Sequence, residues 1–127
     1  MYIQSFRNLV VWQKALELAK EIYRVTDDLP SKESFGLQSQ MRRAAVSIPS
    51  NIAEGHRRGT KKDFIHFLRV SDGSSAELET QILICESKYP DIDFTRSKAL
   101  LEEVQKMLAS MIRKIDLSSQ TKLNATR

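Results

Sequence analysis

Cysteine, glycine, proline and long uncharged runs are all scarce in this chain of 127 residues. The single cysteine, Cys85, has no partner for an internal disulfide and cannot build a Cys-based zinc cluster within one chain. A reducing, cytoplasmic setting suits a lone thiol best. Four glycines and three prolines are too few for a turn-rich β sandwich or barrel. The longest stretch without a charge, Ala44–Ala53, falls far short of the ~20 residues needed to cross a bilayer. No membrane association is therefore expected, and the first residues lack the basic-then-apolar pattern of a secretory leader.

What is present is a helical period. Hydrophobic residues make up 41% of the chain, enough for one core, and no segment alternates in the manner of a strand. Val11, Ala15, Leu18, Ile22, Val25 and Leu29 recur at three and four residues. Asn8 is the expected N-cap of this first helix and Pro30 its stop signal. Trp12, Leu16, Ala19 and Tyr23 draw a second apolar line on the same helix. Two lines call for two packing partners, and Trp12, Leu16 and Tyr23 are the expected oligomer contacts. A second helix is expected from about Phe35 to Glu54, kinked or divided near Ser47–Pro49, with Gly55 just past its end. Thr60 and Asp63 form a capping box for the third helix, which Tyr89-Pro90 terminates. Asp93 or Thr95 caps the fourth, where Leu101, Val104, Leu108 and Ile115 keep the spacing. The fold expected is all-α, an antiparallel up-down-up-down four-helix bundle over residues 1–116, followed by a polar, disordered tail at 117–127.

Charge is unevenly spread. Between Arg42 and Arg69, seven basic side chains (Arg42, Arg43, Arg57, Arg58, Lys61, Lys62 and Arg69) face only Glu54 and Asp63, a local balance of 7 − 2 = +5. The functional reading is neutralisation of RNA or DNA phosphates beside the positive end of the third helix. The plain alternative is a solvated helix junction, with Arg42 or Arg43 spent on an ion pair between helices.

Other chemistry fails on residue inventory. Gly55–Lys62 has the glycines and lysines of a phosphate-binding loop, but Thr60 precedes Lys61 and both flanks are helical. A di-iron bundle needs Glu three residues before His, and neither His56 nor His66 has it. Cys85 falls on an apolar face without a base. Glu77 and Glu79 point to different sides of a helix, which suits paired acid–base work poorly. No enzyme activity, metal or cofactor is expected.

Three stretches carry a family resemblance. Phe6–Ala15 (FRNLVVWQKA), Gly36–Gly55 (GLQSQMRRAAVSIPSNIAEG) and Gly73–Gln81 (GSSAELETQ) resemble motifs of the four-helix-bundle family encoded in intervening sequences of 23S rRNA genes. The likeness runs over about residues 6–115. It implies a closed antiparallel bundle assembling as a homopentamer, without enzymatic activity. It also implies kinship with the accessory variability protein of diversity-generating retroelements, a basic pentamer that associates with a reverse transcriptase and nucleic acid. The segment Cys85–Pro90 departs from the family's usual apolar, Gly-containing exit from the third helix. The leading expectation is a homo-oligomeric bundle that binds nucleic acid or a nucleic-acid-processing protein. The alternative is a purely protein-binding scaffold.

Overall fold

The computed structural model describes residues 5–125, with side chains through Ser118. Four helices follow one another: α1 (Val10–Thr26), α2 (Leu37–Arg58), α3 (Lys61–Lys88) and α4 (Thr95–Ala125). Each packs on its two neighbours in a cycle, α1 on α2, α2 on α3, α3 on α4 and α4 on α1. The cross-links run in descending order against ascending order, as antiparallel neighbours require. Ser71 and Ser74 of α3 meet Ile48 and Ser47 of α2. Lys98, Gln105 and Ser118 of α4 meet Glu86, Glu79 and Lys61 of α3. The core fills the axis with Leu18, Ile22, Met41, Ile48, Leu78 and Leu108, each without exposed surface.

Several boundaries differ from those expected. Asn8 belongs to a 3-10 turn (Phe6–Asn8) whose own cap is Ser5, and Leu9 stands at the N-cap of α1 without a side-chain bond. The helix α1 stops at Thr26, and a second 3-10 turn (Ser31–Glu33) follows Pro30. Rather than dividing at Pro49, α2 is one continuous helix that buries it. Donors gather at that turn: Asn51 Nδ2 reaches Ser47 O at 2.8 Å, and Ser71 Oγ reaches Ile48 O at 2.9 Å. They serve carbonyls beside the one on Ala45, which loses its usual donor to the proline ring.

Gly55 does not end α2 either. The helix runs one turn further to Gly59, which takes the left-handed conformation (φ 87°) that glycine adopts without strain. Gly55 instead lies buried where α2 meets α3. A Cβ there would stand 2.6 Å from Phe67 Cβ and 3.3 Å from Phe64 Cδ1. The third-helix cap is as expected, with Thr60 Oγ1 accepting from Asp63 N at 3.2 Å. In the last interhelix turn, Asp93 Oδ1 accepts from Thr95 N at 2.9 Å. The helix α4 continues through Ala125, across the segment read from sequence as a polar tail. Leu117–Ala125 contains neither Gly nor Pro, so nothing stops propagation once the helix exists. Residues 126–127 lie outside the described residues.

The unusual Cys85–Pro90 exit is a tie between loops. Tyr89 Oη donates to Glu33 Oε2 at 2.5 Å, and Lys88 Nζ lies 3.1 Å from the same oxygen. The tyrosine hydroxyl and then the lysine hold the Glu33 carboxyl below its ordinary range. The α1–α2 connection is thereby fixed to the end of α3.

The two helical glycines give opposite expectations. Gly55→Ala forces α2 and α3 apart and should cost about 1–3 kcal/mol. At Gly73 a Cβ meets nothing within 4 Å, so Gly73→Ala should gain about 1 kcal/mol from helix propensity. Urea denaturation of both variants checks this pair. A loss at Gly73 would mean that a second molecule covers that surface.

Candidate nucleic-acid interface

The seven basic residues do not form one patch. Arg42 and Arg57 are fifteen positions apart on α2, or about 22 Å at the helical rise. One group sits near the start of α2 and the other at its end.

Arg42 is spent on structure. Its Nε donates to Thr26 Oγ1 at 3.0 Å, and its Nη2 donates to Tyr23 O at 3.2 Å and to Asp27 Oδ1 at 2.8 Å. Its guanidinium lies 4.7 Å from the centroid of the Tyr23 ring. Gln38 Nε2 adds a bond to Thr26 O at 2.9 Å. The last carbonyls of a helix have no partner within it. The first turns of α2 therefore cap α1 from outside, and Arg42 leaves the candidate site. This is the ion pair anticipated for one of the two adjacent arginines. Arg43 is exposed and lines both the hollow it shares with Tyr23, Gln38 and Arg42 and the groove between α2 and α3 beside Gln40, Ser74 and Glu77.

The second group is compact. Arg57 and Arg58 close α2, Gly59 and Thr60 make the turn, and Lys61 and Lys62 open α3. All four cations are exposed. The first backbone N–H groups of α3 point the same way and add to the positive field. Arg58 pairs with Glu54 at 3.3 Å in an exposed contact, and Lys61 Nζ donates to Ser118 Oγ at 2.9 Å. Arg57 and Lys62 make no ion pair among the described residues. Arg69 stands two turns into α3, exposed and about 12 Å from Lys61 along the helix.

The topology brings further residues to this end that spacing in the sequence did not reveal. Arg7, in the first 3-10 turn, is exposed next to the start of α1. Lys114 lines the α1–α4 groove with Leu9 and Val10. Aromatic rings also gather here. Phe6 packs edge-on against Trp12 (5.1 Å), His56 against Phe64 (5.8 Å) and His66 against Phe67 (5.1 Å). Phe64 and Phe67 are half-buried. Both sit on the flank of α3 that Gly55 lets close to α2.

Of the expected oligomer contacts, Trp12 and Leu16 are half-buried and Tyr23 is exposed beneath Arg42. The helix α1 finds its two partners, α2 and α4, within the same chain. Large apolar side chains are exposed elsewhere too: Phe35 at 99%, Leu83 at 53% and Ile84 at 51%. No group of three His, Cys, Asp or Glu side chains arranged to hold a metal occurs among the described residues. Burial pushes the Cys85 thiol up from its ordinary value, which disfavours the nucleophilic thiolate.

The structural role of Arg42 carries a clear expectation. Arg42→Ala should cost about 2 kcal/mol by leaving the end of α1 uncapped. Arg42→Lys should recover little, because one ammonium cannot serve three acceptors in a fork. Thermal unfolding of the two variants reads the difference.

Comparison with known proteins agrees with the bundle and its motifs. The chain matches none of the curated proteins. A solved structure from Bacteroides thetaiotaomicron, described as a protein with unknown function from the S23 ribosomal protein family, superposes with a TM-score of 0.69 at 26% identity. The match covers 81% of this chain and 98% of that one. The pattern of the family described as 23S rRNA-intervening sequence protein matches residues 7–110. That span takes in the basic turn and all four helices through most of the bundle's length, and the chain belongs to this family.

Proposed function

We propose that this protein is a non-enzymatic, homo-oligomeric bundle that binds the backbone of RNA or DNA, alone or with a nucleic-acid-processing protein. The observation that carries the reading is the α2–α3 junction. There Arg57, Arg58, Lys61 and Lys62 are exposed together beside the N-terminus of a 28-residue helix. Arg7 adds a cation next to Phe6, over which Arg57 lies, and Lys114 adds one at the same end of the bundle in the α1–α4 groove. Phosphates bind such a surface by counterion release, without regard to sequence. Arg69, about 12 Å along α3, flanks the site, whereas Arg43 lies about 21 Å away on α2, where salt screens it.

Self-assembly multiplies a weak contact by avidity. The family resemblance implies a homopentamer, and the exposed Tyr23, Leu83 and Ile84 offer apolar surface for contact between copies. No helix of the described residues is long and apolar enough to cross a membrane. The reduced cytoplasm is the compartment this proposal assigns, where RNA and DNA are both at hand.

Fluorescence anisotropy with labelled oligonucleotides, alongside light scattering, tests the reading. If about three phosphates are engaged per protomer, log K should fall with log salt at a slope of about −2 to −3 per protomer. Changing Arg57, Arg58, Lys61 and Lys62 together to Ala should abolish binding while leaving helicity and oligomeric state intact. Equal binding by that variant, or no binding by the native protein at low salt, would favour a protein-binding scaffold instead.

A further inference from the structure

The basic end is also an aromatic end, and the two sets of residues are in contact. Arg57 and Arg58 are successive residues, so their side chains leave α2 about 100° apart. Each comes to rest over a ring. The Arg57 guanidinium carbon lies 5.8 Å from the centroid of Phe6, and that of Arg58 lies 5.2 Å from the centroid of Phe67. Both distances are within the range of cation–π attraction. The last turn of α2 is thus flanked on two sides by an arginine laid on a phenylalanine.

Neither ring is placed there by chance of surface packing. Phe67 is held by Gly55, whose missing Cβ leaves room for it, and by the edge of His66 at 5.1 Å. Phe6 is held by the edge of Trp12, also at 5.1 Å. Both phenylalanines are half-buried, whereas Arg57 and Arg58 are exposed. Each guanidinium therefore lies within cation–π reach of a ring while its side chain stays exposed, and its planar group is available to a ligand from solvent. Glu54 meets Arg58 through Nε, a contact at the edge of the guanidinium.

Flat plates of this kind stack on nucleobases, which have a π-face whatever their identity. A duplex hides those faces between its own base pairs. It could use the cations of this site but not the plates. A single strand could use both, with phosphates on Lys61 and Lys62 and bases on the two arginine–phenylalanine pairs.

We infer that this end of the bundle is a single-strand binding site, in which Arg57–Phe6 and Arg58–Phe67 stack unpaired bases while the adjacent lysines hold the backbone. The inference rests on the proposed nucleic-acid function and specifies its substrate. Stacking is indifferent to the sugar, so single-stranded RNA and DNA should bind alike.

The test compares labelled 15-nucleotide single strands with duplexes of the same length, as RNA and as DNA, at one low salt concentration. Native protein should favour the single strands at least about fivefold, since each stacked base adds a free energy of that order. Phe6→Leu and Phe67→Leu should reduce that preference toward unity. Duplex binding should fall less than single-strand binding and the salt slope should be kept, because all four cations remain. Trp12, the only tryptophan, touches Phe6 and supplies a readout on the native protein. Its fluorescence should change on saturation with single strands and stay constant with duplex. Equal affinity for single strands and duplexes, a preference that survives in both folded leucine variants, or an unresponsive Trp12 would overturn the inference while leaving backbone binding intact. A marked RNA preference would assign recognition to the ribose hydroxyl and overturn the stacking basis. Absence of binding to every oligonucleotide would remove the underlying function as well.

Discussion

The close approach of α2 and α3 is the constraint on which the rest of the structure depends. It is made with small residues. Gly55 admits Phe67, Ser71 reaches through to the Ile48 carbonyl, and the Ser47 and Ser74 hydroxyls touch at 2.8 Å. Hydroxyls at such a seam satisfy backbone groups that would be costly to bury alone. Along this seam α2 passes through Pro49 as a single helix. Without that continuity the chain would turn before Arg57, and the basic junction would not sit where α3 begins.

From this seam follows a division of labour between the two ends of the bundle. At one end charged groups are used to hold connections together. Arg42 caps α1, Glu33 binds Tyr89 and Lys88, and Asp93 caps the start of α4. At the other end Arg57, Arg58, Lys61 and Lys62 are exposed, and two of them, Arg57 and Arg58, lie over phenylalanine rings. Similar residue types thus do different work according to what the helix termini near them need. Carbonyl groups at the end of α1 consume Arg42, whereas the turn at Gly59 leaves Arg57, Arg58, Lys61 and Lys62 facing solvent. Partly screened, solvent-facing cations are what a reversible, salt-sensitive contact with a polyanion requires.

The number and direction of the helices were legible in the sequence because apolar period and the Thr60–Asp63 cap are local signals. So was the contiguous run from Arg57 to Lys62. The length of α2 was not. Pro49 and Gly55 are both helix breakers by local preference, and only the facing surface of α3 explains why each is tolerated. Gly59, four residues later, carries the true stop. An ion pair between helices was legible for Arg42 or Arg43, but nothing local says which of the two adjacent arginines bridges to the preceding helix. The half-buried place of Phe67 beneath Arg58 emerges only when α2 is laid alongside. Arg7 joined the site from far away in sequence, through the contact of its neighbour Phe6 with Arg57.

The central claim is that one end of the bundle, assembled by the α2–α3 seam, receives nucleic acid. The most direct measurement is a map of backbone amide shifts of isotope-labelled protein as a short single-stranded oligonucleotide is added. The account predicts that the largest shifts fall on Phe6, Arg7, the turn from Arg57 to Asp63 and Phe67, with the far end around Asp27–Gly36 unmoved. Shifts centred on that far end, or on the exposed Leu83–Ile84 face of α3, would contradict it.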